Sequence, residues 1–252
     1  MRTRQGIVHS DREIDGIRKA ARATAGVRDA LGRRVQPGMS TLELDRLAAD
    51  LIAKTGGTSA FHGYHGFPGQ VCISVNEEVV HGIGRADRII NLGDIVSIDV
   101  GITLNGFVGD TATTVCVPAN ANPAIQNLLE TTRQSLAAGI AAARPGGFVN
   151  DIGTAVEHVV TRAGFSVVRD FVGHGCGCEL HEPPEIPNFR QSQKGAKLKA
   201  GMVLAIEPMV NSGSASVSVD SDGWTVRTKD GGLSAHFEHM VLITNAKPEI
   251  LT

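Results

Sequence analysis

One segment of this chain is written twice. Val35-Gln36-Pro37-Gly38 opens an amphipathic run that closes at Lys54-Thr55-Gly56. Ala143-Arg144-Pro145-Gly146 opens a second run, 108 residues on, that closes at Arg162-Ala163-Gly164. The same offset lays Leu92–Asp99 over Ala200–Glu207, two apolar, strand-like runs each closed by an acid. A duplication of this kind predicts two half-domains about a pseudo-two-fold axis, roughly 10–118 and 119–252, within a single domain spanning 1–252. Two buried strands related by that axis can aim both acids at one point on the seam. A buried, unpaired carboxylate is costly, so such a pair needs a proton or a metal ion.

The chain has 252 residues, enough for one large core or two intimate halves. A formal net charge of -2 gives no field that would favour nucleic acid or an anionic membrane. No apolar run approaches the roughly 20 residues that span a bilayer. Met1–Gln5 is basic, but no apolar stretch follows it, so no secretory signal is expected. Cys72, Cys116, Cys176 and Cys178 do not form a spaced disulfide framework, which places the chain in a reducing cytoplasm.

Ser10 with Glu13, and Ser40 with Glu43, read as capping boxes. Ile14, Ile17, Ala21, Leu31 and Val35 mark the face of the first helix. Leu44, Leu47, Ala48, Leu51 and Ile52 mark the second, which Gly56-Gly57 stops. Pro123 suits the first turn of a third helix, and Val149, Ile152, Val156 and Val160 mark a fourth. Strands are expected near Val71–Val75, Glu78–Gly82, Ile95–Val100, Phe107–Val117, Ser166–Gly173, Met202–Val210, Ser216–Val219, Trp224–Arg227 and Ala235–Ile243. Paired helices followed by runs of strands predict an α+β fold, with helices on one face of a largely antiparallel sheet.

Five residues carry the chemistry. Asp99 closes one strand and Asp110 follows after Asn105-Gly106; if that pair is a tight turn, both acids share one face of a hairpin. His174 lies between glycines that permit close backbone approach. Glu207 precedes Pro208, and Glu238 stands in Phe237-Glu238-His239. A single strand-end acid is ordinarily a surface charge. Four carboxylates and one imidazole, two of them at repeat-equivalent positions, form a hard ligand set suited to two divalent ions about 4 Å apart.

These residues, with Val75–Gly82, Gly173-His174-Gly175, His181-Glu182-Pro183-Pro184 and Ile206-Glu207-Pro208, resemble the type I bacterial methionine aminopeptidases of the pita-bread metallopeptidase family. The resemblance covers nearly the whole chain. It implies a single catalytic domain with the pita-bread fold, a hydrolase that removes N-terminal methionine when the second residue is small. It implies that Asp99 binds one metal, that Asp110 and Glu238 bridge two, and that His174 and Glu207 complete the other. Water activated by the two ions would attack, with Glu207 as proton shuttle. His81 and His181 would contact substrate and oxyanion. Phe61, Tyr64, Phe67, Cys72 and Trp224 would line the methionine pocket. The ions would be drawn from Co, Mn, Fe, Zn or Mg. The partners would be N-termini of nascent polypeptides near the ribosome, with no nucleic acid or membrane bound, and the enzyme would be a monomer. Arg2 as second residue predicts that the chain keeps its own Met1. His65 and His239 are candidate supporting residues. His9, His62, His158 and His236 are left as core or surface residues.

The chain departs from the family pattern where Cys176-Gly177-Cys178-Glu179-Leu180 replaces a stretch that usually carries Arg and an aromatic residue, and where Gly84 replaces Pro. Cys176 and Cys178 beside His174 have the spacing of a soft-metal site, but the four hard carboxylates point to another ion class. A second reading is a pita-bread aminopeptidase of the Xaa-Pro type. A third is a metal-free binding protein of the same fold, which would have lost ligands.

Overall fold

The computed structural model describes residues 6–117 and 122–252; Met1–Gln5 and the expected boundary between halves at residue 118 lie outside them. The first half contains α1 (Asp11–Gly32), α2 (Thr41–Lys54), β1 (Thr58–Ser59), β2 (Cys72–Val75), β3 (Glu78–Val80), β4 (Ile95–Leu104) and β5 (Phe107–Cys116). Then follow α3 (Pro123–Ala142), α4 (Val149–Arg162), β6 (Ser166–Val167), β7 (Gly173–Gly175), β8 (Glu182–Ile186), β9 (Val203–Ile206) and β10 (Met209–Asn211). The chain ends with β11 (Val217–Val219), β12 (Val226–Thr228), β13 (Ser234–His236), β14 (His239–Leu242) and β15 (Glu249–Ile250).

The 108-residue offset recurs in the element bounds. Both ends of α2 lie 108 residues before those of α4, and β4 begins 108 residues before β9. Both capping boxes form: Glu13 Oε2 accepts from the Ser10 amide at 2.7 Å, and Glu43 Oε2 from the Ser40 amide at 2.8 Å. α1 stops at Gly32, short of the expected Val35, because Pro37 disfavours helix before it; Val35 still packs on the first core from the turn.

Each helix pair covers its own sheet. Leu31, Leu44 and Ile52 pack on Ile73, Ile98 and Ile102 in one core. Ile152, Val156 and Val160 pack with Leu204, Ile206 and Val241 in another. Burial of each such side chain contributes about 1.5–3 kcal/mol before entropic costs. The α+β class expected from the sequence holds, and every strand pairing among the described residues is antiparallel. The strands divide into four ladders: β1-β4-β2 with β5 on β4, β13-β10-β6, β11-β12-β3, and β15-β14-β9-β7-β8. The expected continuous strands Met202–Val210 and Ala235–Ile243 are each broken in two, at Glu207-Pro208 and at Phe237-Glu238, and the chain changes ladder at both breaks. Proline explains the first break, since Pro208 has no amide to give to a ladder.

Among the contacts that close the seam, two bear on the site. β12 pairs with β3 across the halves, Val226 opposite Val80. β5 meets the segment joining β13 to β14: Glu238 N donates to Ala112 O at 3.0 Å, and Thr111 Oγ1 donates to Glu238 O at 2.8 Å.

Candidate metal centre

β4 and β5 form a ten-pair hairpin closed by Asn105 and Gly106, with φ of 53° and 80°. Positive φ at both central residues is the turn whose twist matches paired strands. The register sets Asp99 opposite Ala112 and Asp110 opposite Gly101, so the two acids are diagonal neighbours on one face. β7 delivers His174 opposite Ala205 of β9, two residues before Glu207. The approach needs Gly173, since a Cβ there would stand 2.3 Å from Ala205 O. The β13–β14 break delivers Glu238.

Asp110, His174 and Glu238 each present a ligand atom within 4.8 Å of the others. His174 Nε2 lies 3.4 Å from Glu207 Oε1 and 3.8 Å from Asp110 Oδ2. Its Nδ1 is 2.9 Å from Gly175 O. A carbonyl oxygen only accepts, so Nδ1 carries the proton and Nε2 turns a bare lone pair toward the acids. Burial holds His174 down to about 3, hence neutral. Burial raises Asp99 to about 7, and raises Asp110, Glu207 and Glu238 well above the ordinary carboxylate range, with mutual repulsion adding to it. Asp99 Oδ1, Asp110 Oδ1 and Glu238 Oε1 are buried without a hydrogen-bond partner. Orphaned carboxylate oxygens around an unprotonated imidazole nitrogen fit hard or borderline divalent cations.

All five residues open on one cavity of about 350 Å³, which Phe61, Tyr64, Phe67, Cys72, His81, His181 and Trp224 also line. Cys72 faces Asp99 across the β2–β4 ladder. Phe67 and Trp224 meet edge to face at 5.2 Å. Trp224 arrives on the loop before β12, so the ladder between halves places it. His181 Nδ1 is 2.7 Å from Tyr64 Oη, and its ring stacks edge-on to His174 at 4.2 Å. Burial lowers His181 and brings His81 down to about 4, so both are neutral.

Some lining residues escaped the sequence reading. His65, named only as a supporting residue, lines the cavity with Phe171 and Met209. His239 does not; it turns to Thr252, with Nδ1 3.1 Å from Oγ1. His236, left as an ordinary core residue, is buried with Nε2 3.7 Å from Glu207 Oε2 and no hydrogen bond. No sequence signal separates it from a core histidine, because its role comes from the strand break beside it. Cys176 packs in a core with Ile17 and Leu180, while Cys178 turns toward His9, so the two thiols do not form a site with His174.

Residues 15–245 match the model of metallopeptidase family M24. The chain is 47% identical over 246 residues to methionine aminopeptidase 1 of Bacillus subtilis, and 48% identical to methionine aminopeptidase of Clostridium perfringens, covering 98% of each chain in both cases. Its fold matches methionine aminopeptidase of Thermotoga maritima with a TM-score of 0.95 and 40% identity, over 98% of this chain and 99% of that one. A prolidase of Pyrococcus furiosus matches in fold alone, with a TM-score of 0.77, 24% identity and 65% of its own length covered. The expected pita-bread architecture is the fold of this molecule.

Proposed function

The chain belongs to metallopeptidase family M24, and from that premise we propose that it hydrolyses the first peptide bond of polypeptides that begin with methionine and carry a small second residue. The observation that carries the reading is the convergence of orphaned carboxylates and a neutral imidazole on the floor of a cavity walled by aromatic rings and a thiol. Asp99, Asp110, His174, Glu207 and Glu238 would hold two divalent ions. Bound there, the ions would supply Lewis acidity and a lowered water pKa.

The remaining steps belong to the protein. Phe61, Tyr64, Phe67, Cys72 and Trp224 enclose the thioether side chain, which sulfur–ring contacts favour by about 0.3–1.5 kcal/mol each. His81 and His181, both neutral, donate N–H to the scissile carbonyl and to the oxyanion that develops from it. Tyr64 fixes the His181 ring. Glu207, beside the reacting groups, takes up a proton and delivers it to the departing amine. His236 backs Glu207 from the core side. The substrates would be nascent chains leaving the ribosome, and the enzyme would act as a cytoplasmic monomer. Among the described residues no helix is long and apolar enough to cross a membrane.

The test is release of free methionine from Met-Ala-Ser, set against Met-Pro, Ala-Pro and Leu-Ala peptides, with each divalent metal added in turn. Turnover of Met-Ala-Ser alone supports the reading. Preference for Ala-Pro would move the chain to the Xaa-Pro type, and peptide binding without turnover in any metal would make it a binding protein.

A further inference from the structure

A second group of ligating side chains lies outside the cavity. His9, Cys178 and Glu182 each offer a ligand atom within 4.8 Å of the others. His9 Nε2 is 3.1 Å from Glu182 Oε2, and His9 Nδ1 is 3.8 Å from Cys178 Sγ. The facing side chains of His9 and Glu182 are 1% and 2% exposed, yet neither His9 Nε2 nor Glu182 Oε2 makes an aligned hydrogen bond. The other oxygens nearby are engaged. Glu182 Oε1 accepts the amides of Cys178 and Glu179, at 2.7 and 2.9 Å. Glu13 Oε2 is held in the α1 capping box, while its Oε1 faces Cys178 Sγ at 3.9 Å. Two nine-tenths-buried atoms that face each other without an aligned hydrogen bond, a thiol and a spare carboxylate oxygen therefore lie around one small volume.

We propose that His9, Cys178 and Glu182 bind a further divalent ion of the zinc class, with Glu13 Oε1 or water in the fourth position. One thiolate, one imidazole and one carboxylate form a borderline-soft donor set, unlike the oxygen-rich set in the cavity. Bond lengths of about 2.0–2.3 Å place the ligand atoms of a tetrahedral ion roughly 3.3–3.7 Å apart, so side-chain shifts of about 1 Å complete the sphere. A free, reactive thiolate is the weaker reading: burial, then Glu182 and Glu13, keep the Cys178 thiol protonated unless a cation joins them. The ion would tie the segment before α1 to the loop that carries His181, whose own backbone continues into Glu182. Gly177 makes that packing feasible, since a Cβ there would stand 2.5 Å from Ile17 and 3.3 Å from His9.

Cobalt(II) tests this without relying on turnover. Only a thiolate ligand gives the intense near-ultraviolet sulfur-to-cobalt charge-transfer band, and the proposed catalytic ligands include no sulfur. Saturated wild-type protein should show the band, together with one bound equivalent beyond those in the cavity. Cys178→Ser and Cys178→Arg, the latter supplying a fixed cation to the same acids, should lose both and keep the cavity equivalents. His9→Gln should weaken the band's titration at least tenfold, and Asp99→Asn should leave the band in place. Absence of the band in wild type, or its persistence in Cys178→Ser, overturns the proposal. A band that disappears in Cys176→Ser but not in Cys178→Ser does the same.

Discussion

The two halves bring acids to the seam by different means. In the first, β4 and β5 run ten residues each without a break, and Asp99 and Asp110 sit inside the ladder. In the second, the strand runs that carry the acids are cut, and Glu207 and Glu238 occupy the cuts. A ladder residue is fixed by hydrogen bonds on both sides of it. A residue at a break is held by the strands that flank it and by the contacts it makes. One side therefore supplies two acids from within a continuous hairpin and the other supplies two from strand breaks. Glu207, the residue assigned to proton transfer, falls in the second group, with only its carbonyl tied, to Asn188 Nδ2 at 3.1 Å.

The largest effects test whether both halves are needed. Asp99→Asn and Glu238→Gln should each weaken metal binding by about a hundredfold to a thousandfold, since each removes charge from a buried site that must balance cations. Activity should fall with metal content. Metal analysis with titrated activity measures both, and wild-type metal content in either variant would break the symmetry of the comparison. Next in size, His81→Ala and His181→Ala should lower kcat about a hundredfold to a thousandfold while metal content stays near wild type. Loss of metal from either would make that histidine a ligand rather than a substrate contact.

The same contrast decides what was legible in the sequence. The repeat, the four helices, both capping boxes and the Asn105-Gly106 hairpin all rest on local rules, and local rules read well from one strand of text. The four acids and the imidazole could be named because the acids close or flank apolar runs. The division into four ladders could not, because strands of two to four residues carry too little pattern to fix their partners, and β12 takes one of its partners, β3, from the other half. β8 was missed because Pro183-Pro184 reads as a breaker, yet it lies at the edge of its ladder, where a missing amide costs little. Pro208 marked one strand break in plain sight. The break at Phe237-Glu238 has no such mark, and it arises from the contact with Ala112. His9 and His236 stayed hidden for a related reason: their partners, Glu182 and Glu207, are far away in sequence.

A backbone change should hurt the ladder side more. Gly109 lies beneath α1, where an added Cβ would stand 2.6 Å from Ala20 O and 2.3 Å from Thr24 Oγ1. Gly109→Ala should cost about 1–3 kcal/mol of stability by forcing helix and strand apart. It should also weaken metal binding, because Asp110 is the next residue. Calorimetry and metal titration on one preparation check the two together. Lost stability with unchanged metal affinity would show that the ladder does not hold Asp110 as rigidly as argued.

The smallest effect concerns the acids without their cations. Burial raises Asp99 to about 7 and Asp110, Glu207 and Glu238 further. An acid whose folded pKa is raised contributes stability that is fully present below its unfolded value, near 4, and lost as pH rises through the folded value. Metal-free protein should therefore melt at falling temperature from about pH 4 to above pH 7, and divalent ions added at pH 8 should restore what was lost. Glu238→Gln separates this from general alkaline weakening. It removes one buried charge, so the metal-free variant should melt higher than metal-free wild type at pH 8, by roughly 2–4 °C for about 1 kcal/mol. With metal present the order should reverse, because the variant has lost a ligand. If metal-free wild type instead gains stability from pH 5 to 8, the four acids do not strain one another, and the seam is not the strained centre that the two halves converge on.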